Sequence, residues 1–131
     1  MSAPVHRVDV TEAAAALVRD LAHEHGPLVF HQSGGCCDGS APMCFPRGDF
    51  RIGSRDVRLG EIEGNPFYMG AEQFEYWKHT HLTIDVVPGR GSGFSLEAPR
   101  GVRFLVRSRV FEGWEVEALE REPIVRGAGE G

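Results

Sequence analysis

The chain has 131 residues, of which 41% are hydrophobic and 25% are charged, and its formal net charge is −5. This length and mixture predict one globular domain over residues 1–131, with an ordered core between Asp9 and Glu120 and loose termini. The acidic balance argues against non-specific nucleic-acid binding, which needs a basic surface. No apolar run approaches the roughly 18 residues of a membrane-spanning helix. The N-terminus also lacks a signal peptide's basic and apolar regions, so we expect a cytoplasmic protein without a membrane partner.

The first predicted element is a helix. Apolar residues recur at helical spacing from Asp9 to Gly26, with Asp9 or Thr11 as the cap, and Pro27 ends the pattern. A short buried strand, Leu28–Gln32, follows and leads into a glycine-rich loop.

The rest of the chain is predicted to form short strands joined by turns, because glycines are frequent there and β-branched residues cluster between them. The predicted segments are a hairpin over Asp49–Glu63, strands Phe67–Met69, His81–Val87, Gly93–Glu97 and Val102–Val110, helical turns over Glu72–Lys78, and Trp114–Leu119 pairing with the last strand. One N-terminal helix followed by short mixed or antiparallel strands predicts a β-rich α+β fold.

Three cysteines lie within nine residues, namely Cys36, Cys37 and Cys44, and they are flanked by His31 and Asp38. An odd number of clustered thiols fits poorly with a disulfide framework. Thiolates and imidazoles suit zinc, iron and iron–sulfur clusters. The sequence therefore predicts a metal ion, zinc or iron, or an iron–sulfur cluster bound by the three thiols, with His31 or Asp38 completing or orienting the site.

Two histidines further along the chain are additional candidate ligands. His79 and His81 lie two residues apart, so on a strand both would point to the same face. A lone pair of this kind is a weak motif, and the interpretation as partly exposed edge residues is favoured.

Other roles for the cysteines remain open at this point. Cys36 and Cys37 could form a redox-labile vicinal disulfide, or one of them could be a nucleophile with His31 as its base and Cys44 as the resolving thiol. The thiols could also be small buried hydrophobes. No Ser/His/Asp set stands out, so no catalytic residue is assigned and a binding role is favoured over an enzymatic one.

A basic stripe crosses the last long strand and the turn before it, formed by Arg100, Arg103, Arg107 and Arg109. It could hold an anionic ligand or an acidic partner, which leaves a pure interaction module as a further hypothesis. A solvated strand face is the favoured interpretation, because charge runs usually face solvent.

Two sequence runs carry a family resemblance: Phe30-His-Gln-Ser-Gly-Gly-Cys-Cys-Asp-Gly-Ser with Met43-Cys44, and Leu82-Thr-Ile-Asp-Val-Val-Pro-Gly-Arg-Gly-Ser-Gly-Phe-Ser-Leu-Glu97. Over nearly the whole chain the sequence resembles domain-of-unknown-function family 779, a bacterial family. That resemblance implies an accessory role beside an aldehyde or alcohol dehydrogenase.

The sequence is more distantly similar to the HesB-like A-type iron–sulfur carriers, which implies a HesB-like architecture and a homodimer. Those proteins pair a loop cysteine at the position of Cys36 with a later Cys-x-Cys. Residues 98–131 of this chain contain no cysteine, so the metal site implied here differs in composition.

Overall fold

The computed structural model describes residues 5–32, 41–49, 52–89 and 95–121, and the backbone of 125–126. Within these ranges the chain forms two mixed sheets. The three-stranded sheet has the order β1 (Val8–Val10), β6 (Thr80–Pro88), β7 (Val102–Val110). The five-stranded sheet has the order β3 (Met43–Pro46), β2 (Leu28–Gln32), β5 (Asn65–Met69), β4 (Val57–Ile62), β8 (Val125–Arg126). The predicted strand-rich α+β class is confirmed.

Three α-helices accompany the sheets in the described ranges: α1 (Glu12–His25), α2 (Ala71–Trp77) and α3 (Gly113–Glu120). The predicted first helix is confirmed, with Thr11 as its cap, because the Thr11 hydroxyl accepts a hydrogen bond from the Ala14 amide at 3.2 Å. Gly26 ends α1 at a φ of 83°. None of the helices in the described part of the chain is long and apolar enough to cross a membrane.

The main core packs both sheets together with α1 and α2. The five-stranded sheet therefore has an inner face toward this core and an outer face away from it. Phe30 stacks on Phe67 at 6.2 Å and meets Phe104 of the other sheet edge-on at 5.6 Å. Because Phe30 pairs with Cys44 and Phe67, all three point to this inner face. Their strand neighbours point to the opposite, outer face: His31, Met43 and Tyr68.

The C-terminal prediction was wrong, because Trp114–Leu119 belongs to helix α3 and does not pair with β7. Local capping explains the difference. The Glu115 side chain accepts from the Glu112 amide at 2.8 Å, and Glu112 caps the N-terminal turn in return. This reciprocal capping box stabilises a helix in a segment whose apolar pattern alone is ambiguous.

Two other strand predictions need correction. Of the predicted Asp49–Glu63 hairpin, the second arm is β4, whose antiparallel partners are β5 and β8. The described residues of the first arm, Asp49 and Ile52, are not in a strand, and residues 50–51 lie outside the described ranges. Of the predicted Gly93–Glu97 strand, the described residues Ser95–Glu97 are not extended in a sheet and lead into a 3₁₀ turn, Ala98–Arg100. The short strands β1 and β3 were not predicted.

Candidate functional site

The cysteine-rich loop connects two neighbouring antiparallel strands. β2 ends at Gln32 and β3 begins at Met43, with His31 opposite Met43. Cys36, Cys37 and Asp38 belong to the segment 33–40, which lies outside the described residues. The structure therefore defines the positions of β2, where the loop begins, and of β3, where it ends. It also defines the positions of His31 and Cys44 on these strands.

Cys44 lies in the core beside a buried carboxylate. Cys44 and Glu97 are both 0% exposed, and Ser95 links them. The Ser95 hydroxyl donates to Glu97 Oε1 at 2.5 Å and accepts from the Cys44 amide at 2.8 Å. The Leu96 amide donates to the Cys44 carbonyl at 2.9 Å, which fixes this turn against β3. We call Cys44, Ser95 and Glu97 the buried thiol–carboxylate cluster.

The second oxygen of the Glu97 carboxylate is unusual for a buried group. Among the described residues, Glu97 Oε2 has no hydrogen-bond partner. A buried carboxylate oxygen without a partner is costly, because burial removes the water that would otherwise donate hydrogen bonds to it. The cluster therefore contains an acceptor that a proton or a cation would stabilise.

Both acidic groups in the cluster are shifted toward their neutral forms. Burial raises the pKa of the Cys44 thiol, and the nearby Glu97 charge raises it further. Burial also raises the pKa of Glu97, although the Ser95 hydroxyl and two backbone N–H groups oppose that shift. Without a compensating positive charge, Cys44 is a protonated thiol and a poor nucleophile at neutral pH.

His31 lies on the other side of the sheet from Cys44. The His31 ring is buried on the outer face, and its Nε2 lies 3.1 Å from Asp56 Oδ1. Asp56 is in turn held by the Gly53 amide, which donates to Oδ2 at 2.8 Å. Because β2 and β3 alternate their side chains, the structure does not bring the two predicted ligands His31 and Cys44 together.

The two later histidines are also placed apart from the cluster. His79 is exposed in the turn before β6, and His81 lies on β6 with its Nε2 2.7 Å from Asp9 Oδ2. Within the described ranges, no three His, Cys, Asp or Glu side chains are grouped so that they could hold a metal ion. The described residues therefore supply at most part of a metal site.

The arginine stripe is engaged in intramolecular contacts. Arg107 Nε donates to Asp85 at 2.8 Å, which together with the Val86 amide and Thr11 lowers the pKa of Asp85. Arg109 makes two hydrogen bonds of 2.9 Å to Glu115 and lowers the pKa of that carboxyl to about 2. These ion pairs within the chain agree with the interpretation of the stripe as a solvated strand face.

Sequence reasoning did not identify Ser95, Glu97 or Asp56 as site residues. Ser95 lies 51 residues from Cys44 along the chain, and no spacing rule connects such distant positions. Asp56 follows a Gly-Ser turn and has the composition of an ordinary loop residue. The available signal was weak: Glu97 ends a run of small and apolar residues, where a carboxylate needs a partner.

Fold and site together define a small α+β protein that carries a buried thiol–carboxylate cluster at the base of a cysteine-rich loop. The family model described as domain of unknown function (DUF779) matches residues 17–110. The chain therefore belongs to the DUF779 family, as its sequence resemblance indicated. No curated protein gives a significant match.

Proposed function

We propose that this chain is a metal-binding accessory protein that holds a single zinc or iron ion at the cysteine-rich loop. Cys44 and Glu97 would be its ligands from the core, and Cys36, Cys37 and Asp38 its ligands from the loop. The observation that carries the proposal is that the buried Glu97 Oε2 has no partner among the described residues and lies in the same cluster as a fully buried thiol.

The donor set fits a metal ion. A bound cation would compensate two buried acidic groups that otherwise remain protonated or unpaired, since thiolate and carboxylate are the ionised forms that bind metals. The position also fits, because Cys44 is the second residue of the strand to which the loop returns.

A mononuclear ion is favoured over an iron–sulfur cluster. Clusters are held mainly by thiolates, whereas the charged group that acts on Cys44 in the described structure is the Glu97 carboxylate. His31 is left out of the proposed ligand set, because Asp56 engages it on the outer face. A homodimer and a dehydrogenase partner remain predictions that come from the family resemblance alone.

The alternative thiol-redox function is less well supported. A resolving or attacking thiol needs access and a thiolate form. Cys44 is fully buried and its thiol pKa is raised. This argument concerns Cys44 and not the two loop cysteines.

The test is metal analysis of the full chain purified without oxygen or chelators, followed by cobalt(II) titration of the metal-free protein. We expect about one equivalent of zinc or iron, and a thiolate-to-cobalt charge-transfer band in the near ultraviolet. Cys44→Ala and Glu97→Gln should each weaken cobalt binding by about tenfold or more, and the charge-transfer band should weaken in Cys44→Ala.

Glu115→Gln is the matched control, because Glu115 is another buried carboxylate but is paired with Arg109. It should leave metal binding unchanged. A folded wild-type protein that holds less than about a tenth of an equivalent, and does not bind cobalt, would contradict the proposal. Unchanged cobalt affinity in Glu97→Gln would remove Glu97 from the ligand set.

A further inference from the structure

A pocket lies on the outer face of the five-stranded sheet, away from the buried thiol–carboxylate cluster. Its volume is about 450 Å³, within the roughly 300–1,000 Å³ typical of small-molecule sites. Its floor is formed by β2, β4 and β5, and Arg47 and Ile52 from the segment after β3 also line it. We call it the outer-face pocket.

The pocket combines an apolar surface with a tyrosine hydroxyl. Val29, Ile52 and Pro66 supply apolar lining. Tyr68 also lines the pocket, and the residue as a whole is only 3% exposed. Its hydroxyl can donate a hydrogen bond to a ligand in the pocket.

The charges that line the pocket sum to a single positive charge. Arg58 forms an ion pair with Glu61, so these two charges cancel. Arg47 donates from Nε to the Leu28 carbonyl at 3.3 Å, which holds the guanidinium in place. No carboxylate in the described part of the chain forms an ion pair with Arg47, so its terminal amino groups remain available for a ligand.

From this geometry we propose that the outer-face pocket binds a small organic monocarboxylate. The carboxylate would accept hydrogen bonds from Arg47 and Tyr68, since guanidinium and carboxylate match in shape and charge. The apolar part of the ligand would rest on Val29, Ile52 and Pro66. A dianion fits less well, because one uncompensated positive charge faces it and Glu61 lies in the same wall.

This binding site is independent of the proposed metal site. Val29 and Tyr68 point to the outer face, whereas Cys44 points to the inner face of the same sheet. No residue of the metal proposal lines the outer-face pocket in the described structure. Failure of either proposal therefore leaves the other untouched.

The experiment is a titration of the full-length, ¹⁵N-labelled protein with sodium benzoate, with benzamide as the neutral probe of the same shape. We expect saturable shifts centred on the amides of Val29, Ile52 and Gly64. Benzamide should bind at least about tenfold more weakly, because it lacks the charge that Arg47 recognises.

Variants separate the two polar contacts. Arg47→Gln should weaken benzoate binding by about tenfold or more, and Tyr68→Phe by about fivefold. Arg121→Gln, at another exposed arginine, should leave the affinity unchanged. Arg47 is itself exposed, so its variant is expected to keep the wild-type amide spectrum.

The proposal would be overturned by equal affinities for benzoate and benzamide, by wild-type benzoate affinity in Arg47→Gln, or by the absence of saturable shifts at the pocket amides. Tyr68→Phe removes only one oxygen atom. It therefore tests the pocket a second time without truncating the buried ring.

Discussion

Asn65 offers a stringent test of how the five-stranded sheet is held in register. Its buried side chain accepts from the Leu28 amide at 3.0 Å and donates to the carbonyls of Ile62 and Glu63 at 3.2 and 2.9 Å. It therefore links the start of β2 to the tight turn between β4 and β5. In that turn Glu63 and Gly64 both have positive φ, of 51° and 79°.

Asn65→Ala should destabilise the protein by about 3 kcal/mol. The largest contribution is the Leu28 amide, which would be left buried without a partner at a cost of about 1–3 kcal/mol, and the two lost carbonyl contacts add about 0.5–1.5 kcal/mol each. Part of the loss at the Glu63 carbonyl is recovered, because this carbonyl lies near the surface and water can hydrogen-bond to it instead. For a chain of 131 residues, this loss corresponds to a fall in Tm of about 10 °C.

Urea denaturation measures the effect directly, as a lower transition midpoint with an unchanged slope. Gln73→Ala, which truncates another amide at a half-buried position on α2, is the control and should change stability by less than about 0.5 kcal/mol. A loss of stability below about 1 kcal/mol in Asn65→Ala would refute this account of how the Asn65 side chain links β2 to the β4–β5 turn.

Asn65→Asp extends the same test to pH. The new carboxyl keeps the acceptor for the Leu28 amide but turns an oxygen toward two carbonyls, so its folded-state pKa should be raised by burial and repulsion. A raised folded-state pKa means that the variant is closest to wild type in stability below the unfolded carboxyl pKa of about 3.9, and that it loses stability relative to wild type as pH rises above that value. A pH-independent difference from wild type would contradict this reasoning.

Three further predictions concern single positions. Gly26→Ala should lower the free energy of unfolding in urea by about 1–3 kcal/mol, because Gly26 has a φ of 83°, although no atom would clash with the new Cβ. Gly113→Ala is the control: a Cβ there also meets no atom, φ is not positive, and the stability should be unchanged. Glu115→Gln should be less stable than wild type at neutral pH, and this difference should shrink as pH falls from about 4.5 toward 2. The reason is that Arg109 lowers the folded pKa of Glu115 to about 2, so the ion pair's contribution is lost in that pH range. A constant difference in urea midpoints would contradict this. Thr11→Ala should lose about 1 kcal/mol with its helix cap, and an unchanged midpoint would show that the cap contributes little.

Elements with a strong local pattern were predictable from the sequence. The apolar spacing and the Gly-Pro stop define α1. A short apolar run indicates β2, β-branched residues indicate β6, and the alternation of apolar and basic residues indicates β7. The three-residue strand β1 has no comparable pattern. It exists because Val8, Asp9 and Val10 pair in parallel with β6, more than seventy residues later in the chain.

The candidate site also has features that the sequence predicts and features that only the tertiary structure shows. The clustered cysteines are evident in the sequence, and their residue type and spacing alone indicate thiol or metal chemistry. The carboxylate beside Cys44 is not visible, because Glu97 reaches it only through a turn that packs on β3. The opposite placement of His31 and Cys44 follows from the strand register, which the sequence did not define.

The sequence by itself therefore determined the strand-rich α+β class, the family and the cysteine-rich loop, because these depend on local periodicity and on residue identity. The tertiary structure decided which polar groups surround Cys44, and it separated an outer-face pocket from the core. Both follow from long-range strand pairing and from the alternation of side chains across a sheet, which depend on contacts between residues far apart in the chain.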